Sequence, residues 1–209
     1  MSEPAPTQIA TPRIAPGTRE QIGRLNFVIT RLLGTAVGGG PPNVFTTLAR
    51  NRRLFRPWLR FAGRLMPGGS LPRAEAELVI LRVAHNCESD YEWGYHARLG
   101  RAAGLSAAEV ERVRSGPDAE GWSPERVSLL RAADELHRER TISDELWDQL
   151  SARLSEPELI ELCMLVGHYE MLAMTLNALG VQPDVPGGEP SRALGGVQRL
   201  AERIGGRRR

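Results

Sequence analysis

Residues 77–96 read ELVILRVAHNCESDYEWGYH, and this stretch decides how the rest of the sequence is interpreted. It begins with an acid and an apolar run and ends in ionisable and aromatic side chains. If its second half is helical, Glu92 and His96 lie one turn apart on one face. A carboxylate beside an imidazole is a basic proton-transfer unit, since the acid orients the ring and favours its protonated form. The stretch therefore predicts an acid/base group at His96, with Tyr91 and Trp93 as a partly polar wall.

Two structural roles explain the same residues without catalysis. Pairs of the type Glu-x-x-x-His are common on helix surfaces and contribute only a few tenths of a kcal/mol. Ser89 also fits a helix N-cap with Glu92 three positions later, so the Glu92 carboxylate could instead close a capping box. Spacing alone therefore assigns no function to these residues.

The composition predicts one globular, helix-rich domain. The chain has 209 residues, of which 41% are hydrophobic and 25% charged, enough for a single substantial core. Aromatic residues make up only 5%, while Ala, Leu, Arg and Glu abound, which favours helix over sheet. The net charge of +2 argues against a nucleic-acid partner, and the arginine cluster at the C-terminus predicts a solvated tail.

Cysteine usage and the N-terminus predict the location of the protein. The two cysteines, Cys87 and Cys163, form neither a disulfide framework nor a metal-ligand spacing. A reduced compartment fits this usage. The N-terminus lacks the cationic start and apolar core of a signal peptide, and the sequence shows no apolar run judged long enough to span a bilayer. We therefore expect a soluble, cytoplasmic protein that does not contact a membrane.

Proline, glycine and helical periodicity divide the chain into three parts. Residues 1–18 contain four prolines and are predicted to form a flexible arm, residues 19–182 a single all-α domain, and residues 183–209 a tail rich in Pro, Gly and Arg. No stretch alternates as a strand would. The apolar period predicts helices over residues 21–37, 43–65 with an interruption at Pro57, 72–86, 89–103, 106–115, 124–137, 143–150 and 155–179.

The helix that ends before Gly180 is apolar on nearly all sides, which is typical of the centre of a bundle or of a subunit contact. His168 lies within it. A single histidine on such a face is more often a hydrogen-bonded core residue than a ligand. We nevertheless include His168 among the candidate pocket residues, together with Ser89 and Trp93.

The motif within residues 77–96 resembles the carboxymuconolactone decarboxylase family, which includes the alkyl hydroperoxidase D branch. That branch carries an acid, a Cys-x-x-Cys that begins twelve residues later, and a His four residues past the second Cys. Glu77 and His96 take the positions of the acid and the last His, whereas Ser89 and Glu92 stand where the two cysteines would be. Tyr91 takes the position just before the second cysteine.

Three further segments strengthen this resemblance, which covers residues 43–182: LPRAEAELVILRVA, AAGLS and ELIELCMLVGHYEMLAMTLNALGV. The resemblance implies a compact helical bundle of the alkyl hydroperoxidase D-like type. It also implies a homotrimer or homohexamer with the site near a subunit contact. Two helices joined by a tight turn over residues 87–89 would bring Glu77 back toward His96, so that two carboxylates could flank one imidazole and raise one carboxyl pKa.

The chain departs from the peroxidase branch, because Ser89 and Glu92 cannot undergo thiol–disulfide exchange. A disulfide-relay peroxidase is therefore not expected, although Cys87 leaves room for a one-cysteine reaction. The remaining groups predict an enzyme that needs no cofactor and carries out decarboxylation or isomerisation of a small lactone or carbonyl acid. His96 would be the base, Glu92 its partner acid, Glu77 a second proton carrier and Tyr91 a donor to a developing oxyanion.

Two other hypotheses remain open from the sequence. Glu77, Glu92 and His96, with His168, have the ligand types of a divalent-metal site, although our preferred interpretation contains no metal. Alternatively, the protein is a non-catalytic oligomeric binding protein, or an antioxidant-family member by descent that has lost its redox cysteines. The expected partners are a small-molecule substrate and further copies of the chain, with no nucleic acid and no membrane.

Overall fold

The structure is a computed structural model that describes residues 11–36 and 39–184. These residues form ten α-helices and no strand, so the predicted all-α class is confirmed. Residues 1–10 of the predicted arm and residues 185–209 of the predicted tail lie outside the described part. The helices are α1 (Arg19–Ile22), α2 (Arg24–Ala36), α3 (Asn43–Leu48), α4 (Arg52–Leu65), α5 (Arg73–Asn86), α6 (Asp90–Ala102), α7 (Ala107–Ser115), α8 (Pro124–Glu139), α9 (Asp144–Ser151) and α10 (Glu156–Leu179).

Capping residues set most of the helix boundaries where the sequence predicts them. Ser106 and Ser155 open α7 and α10 with capping boxes, in which the side chains of Glu109 and Glu158 return to the N-cap backbone. Gly180 ends α10 in the left-handed conformation, with φ of 64°, because a residue without a Cβ adopts it at no steric cost.

The two predicted N-terminal helices are divided at other positions than the sequence suggests. Gly23, with φ of 82°, separates α1 from α2, where the pattern predicts one helix. Pro57 lies inside α4 and does not interrupt it. The break falls instead at Asn51, whose side chain accepts a hydrogen bond from the Leu54 N–H and so starts a new helix.

α5 is the most enclosed helix of the described chain. It packs against α6, α7, α8 and α10. Val79, Ile80 and Val83 enter the main apolar cluster with α8 and α10, whereas Leu78 and Leu81 enter a second cluster with α7 and α8. All five side chains are fully buried, so α5 fixes the position of every residue it carries into the site.

α10 packs one face against α5 and α8 and leaves an apolar stripe uncovered. By length and composition it is the one described helix that could cross a membrane, so the expectation that no apolar run is long enough was wrong. Half of its most apolar stretch is buried inside the protein. The core helix of a soluble protein can be equally long and equally apolar. The exposed apolar residues are Ile160, Met164, Met171 and Met174.

Both ends of the described chain are fastened near the C-terminal end of α10. The Arg13 N–H donates to the Leu179 carbonyl at 2.9 Å. On the other side, the Asn43 N–H donates to Asp184 Oδ1 at 2.7 Å, and the Asn43 side chain donates to the Gln182 carbonyl at 3.0 Å. Arg13 of the predicted arm and Asp184 of the predicted tail are thus tied to the helical body.

Candidate functional site

A short turn brings the two site helices together. Glu88 adopts a left-handed φ of 51°, and Ser89 follows as the N-cap of α6. The turn folds α5 and α6 back on each other, as the sequence predicts. As a result Glu77, in the first part of α5, meets His96, in the middle of α6.

Glu77 and His96 form a buried hydrogen-bonded pair. Glu77 Oε2 lies 2.6 Å from His96 Nδ1, and the two residues are 0% and 6% exposed. Arg73, one helical turn before Glu77, donates to the other oxygen, Oε1, from Nε at 2.9 Å and from Nη2 at 2.6 Å. A carboxylate held in this way accepts, so Nδ1 carries the proton. The basic nitrogen of His96 is therefore Nε2.

Aromatic rings surround the imidazole of His96. Tyr169, on α10, meets the ring edge-on at a centroid distance of 5.0 Å, and Tyr95 does so at 5.6 Å. Nε2 is hydrogen-bonded to no residue of the described chain and is not fully shielded from solvent. A proton can therefore enter or leave at Nε2 while Nδ1 stays bound to Glu77.

His168 lies beside this group, in an aromatic setting. Its ring stacks on Trp58 at 6.1 Å and meets Phe61 edge-on at 5.4 Å and Tyr169 at 5.2 Å. Burial, assisted by the charge of His96, lowers the pKa of His168 to about 4. Its Nδ1 has no hydrogen-bond partner in the described chain, so ring contacts, and not the hydrogen bond expected of a core histidine, hold it in place.

Glu92 is buried without a partner. It is 2% exposed, and neither carboxylate oxygen has a hydrogen-bond partner among the described residues. The capping box that the sequence allows at Ser89 is not formed, and the carboxylate that binds His96 is Glu77, not Glu92. Burial raises the pKa of Glu92 to about 8, and the nearby Ser89 hydroxyl offsets part of that rise. The cause of the raised pKa is desolvation and not, as predicted from the sequence, a neighbouring acid.

Glu92→Gln is expected to remove a pH dependence of stability. Between pH 4.5, where this carboxyl ionises in the unfolded chain, and about 8, the folded state holds one more proton. The contribution of this carboxyl to the free energy of unfolding therefore falls as pH rises, by about 1.4 kcal/mol per pH unit. Cys87 and Tyr169 sense the Glu92 charge, but their own pKa values are raised, so both stay neutral in this window.

Urea unfolding of both proteins at several pH values from 5 to about 7.5 measures this difference. The stability of the natural protein minus that of the variant should fall as pH rises, since the amide of the variant does not ionise and all other groups are shared. Equal slopes for the two proteins would mean that Glu92 is not held protonated in the folded state.

The predicted oxyanion donor, Tyr91, already has an acceptor. Its hydroxyl donates to Asp184 Oδ2 at 2.7 Å and accepts the Val44 N–H at 3.2 Å. Burial, followed by the Asp184 charge, raises the Tyr91 pKa. The structure thus gives this side chain a role in fastening the chain after α10, and Tyr91 does not join the group around His96.

The other two predicted pocket residues lie at different depths. Trp93 packs against the second apolar cluster, and the Arg114 guanidinium lies 3.7 Å from its ring centroid. It therefore lines the α7 side and not the wall of the His96 site. Ser89 is 1% exposed, and its hydroxyl, like the Glu92 carboxylate, has no hydrogen-bond partner within residues 11–36 and 39–184.

The predicted metal alternative does not fit the geometry. The Glu77 carboxylate is already bound by the Arg73 guanidinium. No three donor atoms of Glu77, Glu92, His96 and His168, all of which the structure describes, lie within 4.8 Å of one another. These residues do not converge on one point as metal ligands must.

Two residues of the site, Arg73 and Tyr169, were not predicted from the sequence. Arg73 stands four residues before Glu77, and this helical spacing is a signal that could have been used. Tyr169 gave no signal, because its contact with His96 crosses between helices that are far apart in sequence.

Residues 52–135, from the start of α4 to the last turns of α8, match the sequence model of the carboxymuconolactone decarboxylase family. The matched segment contains Glu77, Ser89, Glu92 and His96. The predicted resemblance to this family is confirmed. No protein with a curated function matches the sequence.

Solved structures of alkyl hydroperoxidase D-like proteins share the fold of this chain. An uncharacterized peroxidase-related protein from Ralstonia eutropha JMP134, with an alkylhydroperoxidase D core, superposes with a TM-score of 0.73 at 16% identity, covering 84% of this chain and 94% of that one. A peroxidase-related protein from Silicibacter sp. TM1040 gives 0.69 at 18% identity, covering 88% and 96%. These similarities establish the alkyl hydroperoxidase D-like fold.

A third similar structure is an enzyme with a bound ligand. A variant of the debrominase Bmp8 in complex with 2,3,4-tribromopyrrole superposes with a TM-score of 0.70 at 14% identity, covering 92% of this chain and 99% of that one. Identity this low supports the shared fold alone, so the activity of the present chain must be argued from its own residues.

Proposed function

We propose that this protein is a cofactor-independent enzyme that transfers protons on a small lactone or carbonyl acid, in a reaction of the decarboxylation or isomerisation type. One observation carries the proposal: the buried hydrogen bond of 2.6 Å between Glu77 and His96. A histidine whose Nδ1 is fixed by an aligned carboxylate presents Nε2 as a base in a set orientation. Arg73 aligns the carboxylate in turn.

The proposed roles divide between a base and an acid. His96 Nε2 takes a proton from the substrate, and Glu77 stabilises the imidazolium that forms. Glu92, with a pKa of about 8, is protonated at neutral pH and is assigned to return a proton to the product. A carboxylic acid that is protonated at neutral pH and an imidazole nitrogen can in this way act as acid and base in one reaction.

The surroundings of His96 favour a small, flat and largely apolar substrate. Tyr169 contacts the imidazole, and Trp58 and Phe61 extend the aromatic wall past His168. Such rings bind an unsaturated ring by stacking and exclude water from a developing carbanion or enolate. The debrominase structure holds a small flat ring in the same fold, which is consistent with this substrate class.

Solvent deuterium exchange tests the proposal before the substrate is known. Small unsaturated lactones and β-keto acids are incubated with the protein in D₂O, and NMR measures deuterium incorporation at the carbon next to the carbonyl. Enzyme-dependent incorporation or release of CO₂ supports the proposal. Exchange at the rate of the buffer control for every compound would oppose it.

One observation favours a second function, a non-catalytic oligomeric binding protein. His96 is only 6% exposed, and the three surface cavities that we describe are lined by other residues, around Arg56, Gln149 and Glu75. A site filled by its own side chains would bind no substrate. The same deuterium measurement separates the two functions, since a scaffold gives no exchange.

The exposed stripe of α10 supports the proposed self-association. Ile160, Met164, Met171 and Met174 recur at helical spacing and are 44–66% exposed. An apolar stripe of this kind is typical of a contact with another copy. We propose a homotrimer or homohexamer built on this stripe, located in the cytoplasm.

Met171→Glu is expected to dissociate the oligomer, because the new carboxylate would be buried without a partner at the contact. Sedimentation velocity should show the mass of one 23.0 kDa chain for the variant and a multiple of it for the natural protein. Trp147→Glu is the control, since Trp147 is 42% exposed on α9, away from the stripe. If the Met171 variant and the natural protein have the same mass, α10 is not the contact.

A further inference from the structure

A second cluster of chemically active side chains lies where three core helices meet. Cys87 caps the C-terminal end of α5, His137 lies in the last turn of α8, and Glu170 lies in the second half of α10. They are 50 and 33 positions apart in sequence, so no spacing motif joins them. The predicted proton-transfer site makes no use of this cluster.

The three donor atoms converge on one point. Cys87 Sγ lies 3.9 Å from His137 Nδ1, and Glu170 Oε1 lies 2.7 Å from the same nitrogen. All three donor atoms are within 4.8 Å of one another. The other oxygen of Glu170, Oε2, accepts from Arg140 at 3.2 Å, which turns Oε1 toward the histidine.

This arrangement does not suit a nucleophilic cysteine. A catalytic histidine uses one ring nitrogen for the thiol and the other for the orienting acid. Here the thiol and the acid face the same nitrogen, Nδ1, so no proton relay passes through the ring. Convergence of sulfur, nitrogen and oxygen on a common point is instead the geometry of metal coordination.

We propose that Cys87, His137 and Glu170 bind a divalent transition-metal ion of the zinc class. Ligands of a tetrahedral zinc ion stand roughly 3.3–3.8 Å apart at ordinary bond lengths. The Sγ–Nδ1 distance of 3.9 Å lies just above this range, and the Nδ1–Oε1 contact of 2.7 Å must open by about half an ångström to reach it. Thiolate, imidazole and carboxylate donors select zinc or cobalt over magnesium or calcium. When the ion binds, the thiol proton passes to solvent.

The site is accessible and leaves one coordination position open. The His137 and Glu170 side chains are 31% and 15% exposed, and Cys87 is half-buried, so an ion can enter from the surface. Three protein ligands leave a fourth position for water or a small ligand. A bound ion would also join α5, α8 and α10, which together enclose the main apolar cluster.

Cobalt binding to the tag-free, chelator-treated full chain tests the proposal. Co²⁺ should bind with one ion per chain and produce the near-ultraviolet absorption of a thiolate–cobalt bond, which Zn²⁺ then displaces. The melting temperature should rise by about 5–10 °C when free Zn²⁺ is a hundred times its Kd. A natural protein that gives neither the absorption nor the shift overturns the proposal.

Single substitutions identify which side chains bind the metal ion. Cys87→Ser should abolish the charge-transfer absorption, whereas Cys163→Ser, which changes the other half-buried thiol, should leave it intact. Glu170→Gln should keep the absorption and weaken cobalt binding more than tenfold, and it remains informative if the Cys87 variant fails to fold. Absorption that persists in Cys87→Ser, or is lost in Cys163→Ser, overturns the assignment.

Discussion

His96→Ala lowers kcat/KM for the proton-transfer reaction by about 10²–10⁴, the contribution of one positioned general base. The reason is the geometry of the ring: Glu77 fixes Nδ1, so Nε2 is the base, and alanine supplies no other. The deuterium exchange assay measures the loss. Circular dichroism should show unchanged helix content, since α6 tolerates alanine.

The matched control for this prediction is His85→Ala. His85 lies on α5, where its ring meets Trp93 at 6.3 Å and makes no contact with the Glu77–His96 pair. The activity of the His85→Ala variant should stay within a factor of about two of the activity of the natural protein. Equal activity in the His96 and His85 variants would remove His96 from the mechanism.

Glu77→Ala destabilises the protein by about 3–5 kcal/mol, the cost of leaving charged and polar groups buried without their partner. Glu77 is fully buried and satisfies both the Arg73 guanidinium and His96 Nδ1. Because the Arg73 side chain is 29% exposed and can reach water, the lower end of this range is expected. Urea unfolding at pH 7 measures the loss.

Glu75→Ala provides a control on the same helix. Glu75 pairs with Arg126, and the two side chains are 24% and 21% exposed, so removal of this ion pair should cost no more than about 1 kcal/mol. A Glu77 variant that is as stable as the Glu75 variant would contradict the view that Glu77 holds the site together.

Most of the fold was predictable because helix ends are encoded locally. The serines that open α7 and α10 and the glycine that ends α10 act through neighbouring backbone groups, so sequence shows them directly. Pro57 misled the prediction because α4 continues through this proline despite the missing backbone N–H. The helix boundary falls at Asn51 instead, because its side chain caps the first turn of α4.

The sequence identified the residues of the candidate site better than it identified which of them contact each other. The spacing of Glu77 and His96 around a short turn places them together in any helical hairpin. Which carboxylate meets the ring depends on the rotation of α5 and α6 about their axes, and packing of the core sets that rotation. Glu92, one turn from His96 along α6, was therefore given the role that the structure assigns to Glu77.

Contacts between distant parts of the chain left no signal in the sequence. His137 showed no partner pattern, yet it lies beside Cys87 and Glu170 once α5, α8 and α10 are packed. Tyr91 likewise has its acceptor 93 positions away, at Asp184. Such pairs depend on tertiary packing, which local propensity and periodicity do not report.

The hydrogen bonds of Asp184 determine where the protein can be trimmed. One oxygen receives the Tyr91 hydroxyl and the other the backbone of Asn43, so this residue connects α6 to α3. A shortened version that stops at residue 182 would leave the buried phenol without its acceptor and the first turn of α3 without its anchor. The smallest self-sufficient unit thus extends past the last helix and includes the aspartate.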